Sequence, residues 1–156
     1  MGGGLGATLL YNQEMNIEDF KNHLDQLKNN CELKYTIGDS VSITTIEIIE
    51  QKLKVIFPKQ VKVFYSNYNG LLTENPSLEL YKIEELELKE KLIIFGKFNN
   101  LYEVAFDTNT LNSANQWNII NVENKYCITL TMASFWSNKI PVWLKSKREI
   151  WDAEIY

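Results

Sequence analysis

Few side chains in this sequence combine in a way that could do chemistry. Histidine is the usual general base near neutral pH, and the chain holds one, His23. It falls on the polar side of an expected helix, where a solvated imidazole is the plain expectation. Cys31 and Cys127 are the two cysteines. They are too few for a small disulfide-rich scaffold, so buried or idle thiols are expected. With one histidine they cannot complete a four-ligand zinc site. Glu84, Glu85 and Glu87 are close enough for paired acid–base work, but such a run ordinarily forms a solvated face. Asp107-Thr108-Asn109 starts like a calcium loop, yet no glycine or glutamate follows at the required offsets. Gly2-Gly3-Gly4 and Gly6 precede any element that could present amides to a phosphate, and Gly96-Lys97 lacks the upstream glycine of a phosphate loop. No Gly-x-Ser-x-Gly elbow occurs. The sequence predicts no catalytic residue, no metal site and no cofactor.

The elements that would position these residues are easier to read. Residues 1–14 show no period and are expected to be a leader or remnant ahead of Met15, or else a short strand from Leu9, Leu10 and Tyr11. A first helix is predicted from Asn16 to Asn29, with Ile17, Phe20, Leu24 and Leu27 on one face and Glu18 and Asp19 in the first turn. A strand over Cys31–Ile37 follows. Thr44 and Glu47 suggest a capping box for a second helix, whose stripe would be Ile46, Ile49, Leu53 and Ile56. Pro58 suits the first position of a third helix carrying Val61, Phe64, Tyr65 and Tyr68, with Gly70 as its left-handed C-terminal cap.

After Gly70 the period changes to that of strands. Leu78–Tyr81, Leu92–Phe95, Tyr102–Phe106, Trp117–Val122 and Tyr126–Leu130 are rich in β-branched and aromatic residues. Turn-forming residues separate them, and Glu123-Asn124-Lys125 marks a hairpin. A closing helix is predicted over Thr131–Lys139, interrupted by Pro141. Trp117, Trp143 and Trp151 have no periodic partner and are either core or interface anchors, with core favoured. Helices, then strands, then a helix read as one α+β domain over residues 15–156.

Composition bounds the function. The 156 residues suit one domain, and 45% hydrophobic with 23% charged side chains is ordinary for a globular chain. No apolar run reaches the roughly 20 residues that cross a bilayer, and no secretory signal is visible, so a cytoplasmic protein without a membrane partner is expected. Net charge is −4. Residues 1–90 hold nine lysines against fourteen carboxylates, a net of −5, and the remainder nets +1. An acidic chain lacks the footprint of a nucleic-acid binder and is steered toward basic partners.

The order of signals from Thr44 onward resembles the SUKH superfamily, named for homology among a yeast cell-wall-assembly regulator, herpesvirus proteins and many bacterial proteins. The residues that carry the likeness begin with Thr44-Thr45-Ile46, Glu50 and Leu53. Phe57-Pro58 follows, where the family usually has Leu-Pro, then Phe64 and Tyr68-Asn69-Gly70. Ile93-Ile94-Phe95-Gly96 is similar to the family's strand-and-glycine segment, Leu101–Asp107 to the next strand, and Ser134-Phe135 to the start of its closing helix. The likeness spans about residues 40 to 140 and departs at Phe57, Asn99-Asn100 and Pro141.

The resemblance implies an α+β fold, with a twisted, mostly antiparallel sheet and N-terminal helices and a closing C-terminal helix packed around it. It also implies a non-enzymatic immunity protein, monomeric or weakly dimeric, that neutralises a cognate toxin of nuclease or deaminase type. Glu74, Glu79, Glu84, Glu85 and Glu87 are the expected partner-binding face. A regulatory interaction module, an uncharacterised carboxylate enzyme and a small-ligand binder are the alternatives, in that order.

Overall fold

The computed structural model describes residues 14–153. Helix α1 spans Ile17–Cys31 and buries Ile17, Phe20, Leu24 and Leu27, the stripe expected from spacing. It runs two residues past Asn29, and Glu32 closes it in the left-handed region, so the following strand β1 is shortened to Lys34–Ile37. Asn16 holds the cap position with an extended backbone, but its side chain makes no capping bond.

Helix α2 (Ile43–Leu53) is capped by Ser42, whose hydroxyl accepts the Thr45 N–H. The expected Thr44–Glu47 box does not form, because the helix starts before Thr44. Lys54 ends α2 in the left-handed region, which throws Ile56 off the stripe to 78% exposure. Helix α3 (Lys59–Asn67) starts after Pro58, and Val61, Phe64 and Tyr65 are buried along it. Gly70 has φ +89° but is not its cap. Tyr68 ends α3 in an extended conformation, and Gly70 instead turns the chain into β2.

The strands are β2 (Leu71–Glu74), β3 (Leu78–Leu80), β4 (Glu87–Lys89), β5 (Leu92–Phe98), β6 (Tyr102–Asp107), β7 (Asn118–Asn121) and β8 (Cys127–Thr129). Strands β2 and β4 have no counterpart in the sequence reading. Their four and three residues are too short to show a period. Every pairing is antiparallel, in the order β1-β2-β3-β5-β6-β7-β8. Strands β3 and β4 pair with successive stretches of β5, and the 3-10 turn Ile83–Glu85 lies between them in the chain. The hairpin expected at Glu123–Lys125 joins β7 to β8.

A bulge in β5 between Ile94 and Gly96 turns Phe95 and Gly96 inward in succession. Phe95 stacks on Phe106 at 3.9 Å and meets Phe135 at 5.5 Å. Gly96 is required by closeness, since a Cβ there would lie 2.4 Å from the Glu79 carbonyl oxygen. Helices α1 and α3 and the closing helix pack on this face. Phe20 and Phe64 contact edge to face, and Phe64 stacks on Trp136.

The closing helix begins at Met132 with Thr131 as cap, its hydroxyl accepting the Ser134 N–H. Pro141 does not interrupt it. A π-helical segment, Phe135–Lys139, leads into α5 (Ile140–Ser146), counting Met132–Ser134 as α4. Widened i→i+5 bonding accommodates the missing proline N–H, and Pro141 sits in the first turn of α5. The indole Nε1–H of Trp136 donates to Met15 O at 2.8 Å, tying the start of α1 to this helix.

The remaining tryptophans are core. Trp117 meets Phe57, Trp143 meets Phe98, and Trp151 stacks on Tyr102 at 4.7 Å. Asn121 Nδ2–H donates to Trp151 O, fixing the tail against β7. The reading of residues 1–14 falls outside the described residues except at Glu14.

Candidate interaction surface

The helices cover one face of the sheet, and strand alternation sends the other residues outward. In an antiparallel sheet, directly paired residues share a face. The register therefore builds an outward row Thr36–Leu72–Glu79–Lys97–Glu103, running from β1 across β2, β3 and β5 to β6. A second row holds Glu87, Ile94, Ala105, Ile120 and Cys127. The bulge puts both rows on the face away from Phe95 and Phe98, with Ala105 and Ile120 of the second row themselves buried.

The 3-10 turn projects Glu85 over this face. Its Oε1 accepts the Lys82 N–H at 3.0 Å while its own N–H donates to Lys82 O at 2.9 Å, which closes the turn. Tyr81, Glu85, Glu87, Ile94 and Glu103 then line one shallow depression together with Lys89. Burial raises the Tyr81 phenol above its ordinary value, and the charges of Glu79, Glu103 and Glu85 raise it further. Three lysines, Lys82, Lys89 and Lys97, stand among the four glutamates of this face. Lys97 lies 4.0 Å from Glu79, and Lys89 pairs with Glu87 at 3.7 Å; as exposed pairs each is worth about 0–1 kcal/mol.

The structure thus brings Glu79, Glu85 and Glu87 together. It sets two expected residues apart. Glu84 faces Asn69, accepting the side-chain Nδ2–H at 2.9 Å, and Glu74, though on the outward face two residues along β2 from Leu72, lies opposite Lys34 on β1 and away from the other glutamates. The sequence reading missed Glu103, Tyr81 and Leu72. The place of Glu103 as the one charged residue inside the apolar run Tyr102–Phe106 is the signal that could have set it outward.

The residues that carry the family likeness serve the scaffold. Glu50 Oε2 accepts the Phe57 N–H at 2.7 Å, and Leu53, Phe57, Phe64, Phe95 and Phe135 are core. Pro58 starts α3, and Tyr68 OH donates to Ile17 O at 3.0 Å. Asn69 Oδ1 accepts the Ile83 N–H at 2.8 Å, while the Ser134 N–H completes the Thr131 cap. Gly70 and Gly96 occupy places where a side chain would meet backbone.

His23 departs from expectation. It is half-buried in the helical layer rather than solvated, and its Nε2 is shut from solvent without a hydrogen-bond partner among the described residues. Burial, and then Lys145, hold the imidazole below its ordinary value. Cys31 and Cys127 are free and exposed, not buried. Among the described residues no group of histidine, cysteine and carboxylate side chains could hold a metal ion, and no helix is long and apolar enough to cross a membrane. No family model matches the chain, and no curated protein matches it.

Proposed function

We propose that this chain is a non-catalytic, SUKH-like immunity protein of the cytoplasm that binds a cognate bacterial toxin and occludes its active site. One observation carries the reading: a sheet face left uncovered by helices, on which Glu79, Glu85, Glu87 and Glu103 gather around Tyr81. A nuclease or nucleic-acid deaminase site is basic because it must hold phosphates, so an acidic blocker complements it. The family likeness supplies the biological setting, and its residues serve packing and turns, as a binding scaffold requires.

The same surface would also serve a regulatory interaction module. A toxin encoded beside the gene favours immunity, and its absence favours the module. A carboxylate enzyme is less well supported, because the gathered glutamates lie on an open face remote from the helical layer that holds His23. A small-ligand binder is less well supported again, since the aromatic surplus is spent in the core.

The test is co-purification of the tagged protein with the toxin-like product of the adjacent gene, followed by binding kinetics and toxin activity. The expected result is a tight complex that abolishes toxicity. Glu79→Lys and Glu103→Lys should slow association, most at low salt, where surface charges are least screened. Association rates unchanged by both reversals would sink the assignment of this surface.

A further inference from the structure

The open face carries a groove as well as charge. Gly38 and Gly70 lie side by side, with the Gly38 N–H donating to Gly70 O at 3.0 Å, two residues beyond the Thr36–Leu72 pair. Backbone closeness makes both glycine. A Cβ at Gly38 would lie 2.0 Å from Asn69 O, and one at Gly70 would lie 2.9 Å from Leu80 O on a residue with φ +89°. No side chain therefore rises from the sheet at either place.

A groove of about 400 Å³ remains there, with Leu72 as its apolar wall, Glu79 and Glu85 on its rim and Lys82 beside them. Leu72 is 50% exposed, in a row that otherwise carries Thr36, Glu79, Lys97 and Glu103. A lone exposed leucine on a flat surface means nothing. This one borders a concavity, and Glu85 also lines the depression that holds Tyr81, Glu87 and Glu103.

We propose that this groove seats a basic segment of a partner protein that presents one apolar or aromatic side chain against Leu72, flanked by lysine or arginine. The flanking cations face Glu79 and Glu85, the two carboxylates that line the groove beside Leu72. Charge steers the encounter, and burial of the anchor slows its reversal. This rests on the reading that the acidic face binds a basic protein, and it adds where the anchor sits and what chemistry it has.

Two experiments test it. In the first, the isotope-labelled full chain is titrated with the peptides acetyl-Arg-Trp-Arg-amide, acetyl-Arg-Ala-Arg-amide and acetyl-Glu-Trp-Glu-amide, and backbone amide shifts are followed by NMR. The tryptophan peptide with arginines should move Thr36, Gly38, Gly70, Leu72 and Glu79. The alanine peptide should bind about tenfold more weakly, as loss of a hot-spot anchor implies, and the glutamate peptide should not bind. Equal binding of the first two peptides, or shifts scattered over the other acidic residues, would overturn the proposal.

In the second, Leu72→Ala, a surface change whose fold circular dichroism checks, is compared with Glu79→Lys in binding the adjacent-gene toxin. Faster dissociation for Leu72→Ala and slower association for Glu79→Lys support both readings. If only Glu79→Lys acts, the anchor groove is refuted while the acidic face stands. If neither acts, both fall.

Discussion

Glu50 offers the sharpest test of how the scaffold is held. Helix α2 ends at Leu53, and the chain must turn at Lys54 to reach Pro58, which has no N–H to give. The Phe57 N–H is the last donor before α3, and Glu50 Oε2 takes it at 2.7 Å. Lys62 Nζ lies 3.5 Å from the same oxygen, with the Glu50 side chain 12% and the Lys62 side chain 39% exposed. A hydrogen bond to a charged group contributes about 1.5–3 kcal/mol, whereas the half-exposed ion pair adds about 0–1 kcal/mol.

Glu50→Ala should therefore lose about 2–3 kcal/mol, because the Phe57 donor is left in a largely closed site. At about 2–4 °C per kcal/mol for a chain of this size, Tm should fall by about 4–12 °C. Glu50→Gln keeps an acceptor and should lose about 1 kcal/mol, and Lys62→Met no more than about 1 kcal/mol. Urea unfolding followed by tryptophan fluorescence measures all three. A Glu50→Ala protein within about 0.5 kcal/mol of the parent would refute the reasoning. Lys62→Met costing as much as Glu50→Ala would show instead that the ion pair holds the turn.

Other expectations follow from closeness, burial and exposure. Gly96→Ala should cost about 1–3 kcal/mol or more, since its Cβ would stand 2.4 Å from Glu79 O, and an unshifted urea midpoint would count against that. His23 is neutral in both states above its ordinary value of 6.5, where it contributes nothing to pH dependence. Below that value the unfolded chain takes the proton first, so stability falls with pH down to the lowered native value. His23→Gln should flatten that slope, and equal losses in parent and variant would reject the assignment. Tyr35, pushed up to about 12 chiefly by burial and then by Asp25, should ionise above a free phenol in an ultraviolet titration; ionisation at the ordinary value would contradict it. Both cysteines should react with a thiol reagent in the native protein, Cys127 lagging near neutral pH because partial burial of the sulfur on this otherwise exposed residue raises its thiol. A native protein that shows no reactive thiol would disprove this.

The sequence was most legible where one element buries one stripe. Ile17, Phe20, Leu24 and Leu27 are buried together, as are Val61, Phe64 and Tyr65, because a helical period repeats often enough to be seen. Strands β5 to β8 were readable within a residue or two at most ends, since aromatic and β-branched runs alternate with turn chemistry. Strand β5 extends beyond the expected Phe95 to Phe98, because pairing with β3 and β6 carries it past Gly96. Of the acidic residues singled out, Glu79, Glu85 and Glu87 gather together, while Glu74 shares the outward face with Leu72 but stands at its β1–β2 end, and Glu84 is bonded to Asn69.

Composition and period by themselves determined the α+β class, the acidic balance and the want of a histidine–cysteine metal set, because those depend on residue types and local spacing. Tertiary structure decided which carboxylates meet. Glu103 joins Glu79 across Lys97 only through the pairing of β3, β5 and β6, whose register no local pattern encodes. Burial of His23 and survival of a helix through Pro141 are likewise set by neighbours distant in sequence and by a π turn. The groove beside Leu72 exists because Gly38 and Gly70, far apart in the chain, are brought together by the β1–β2 pairing, so its depth comes from long-range contact alone.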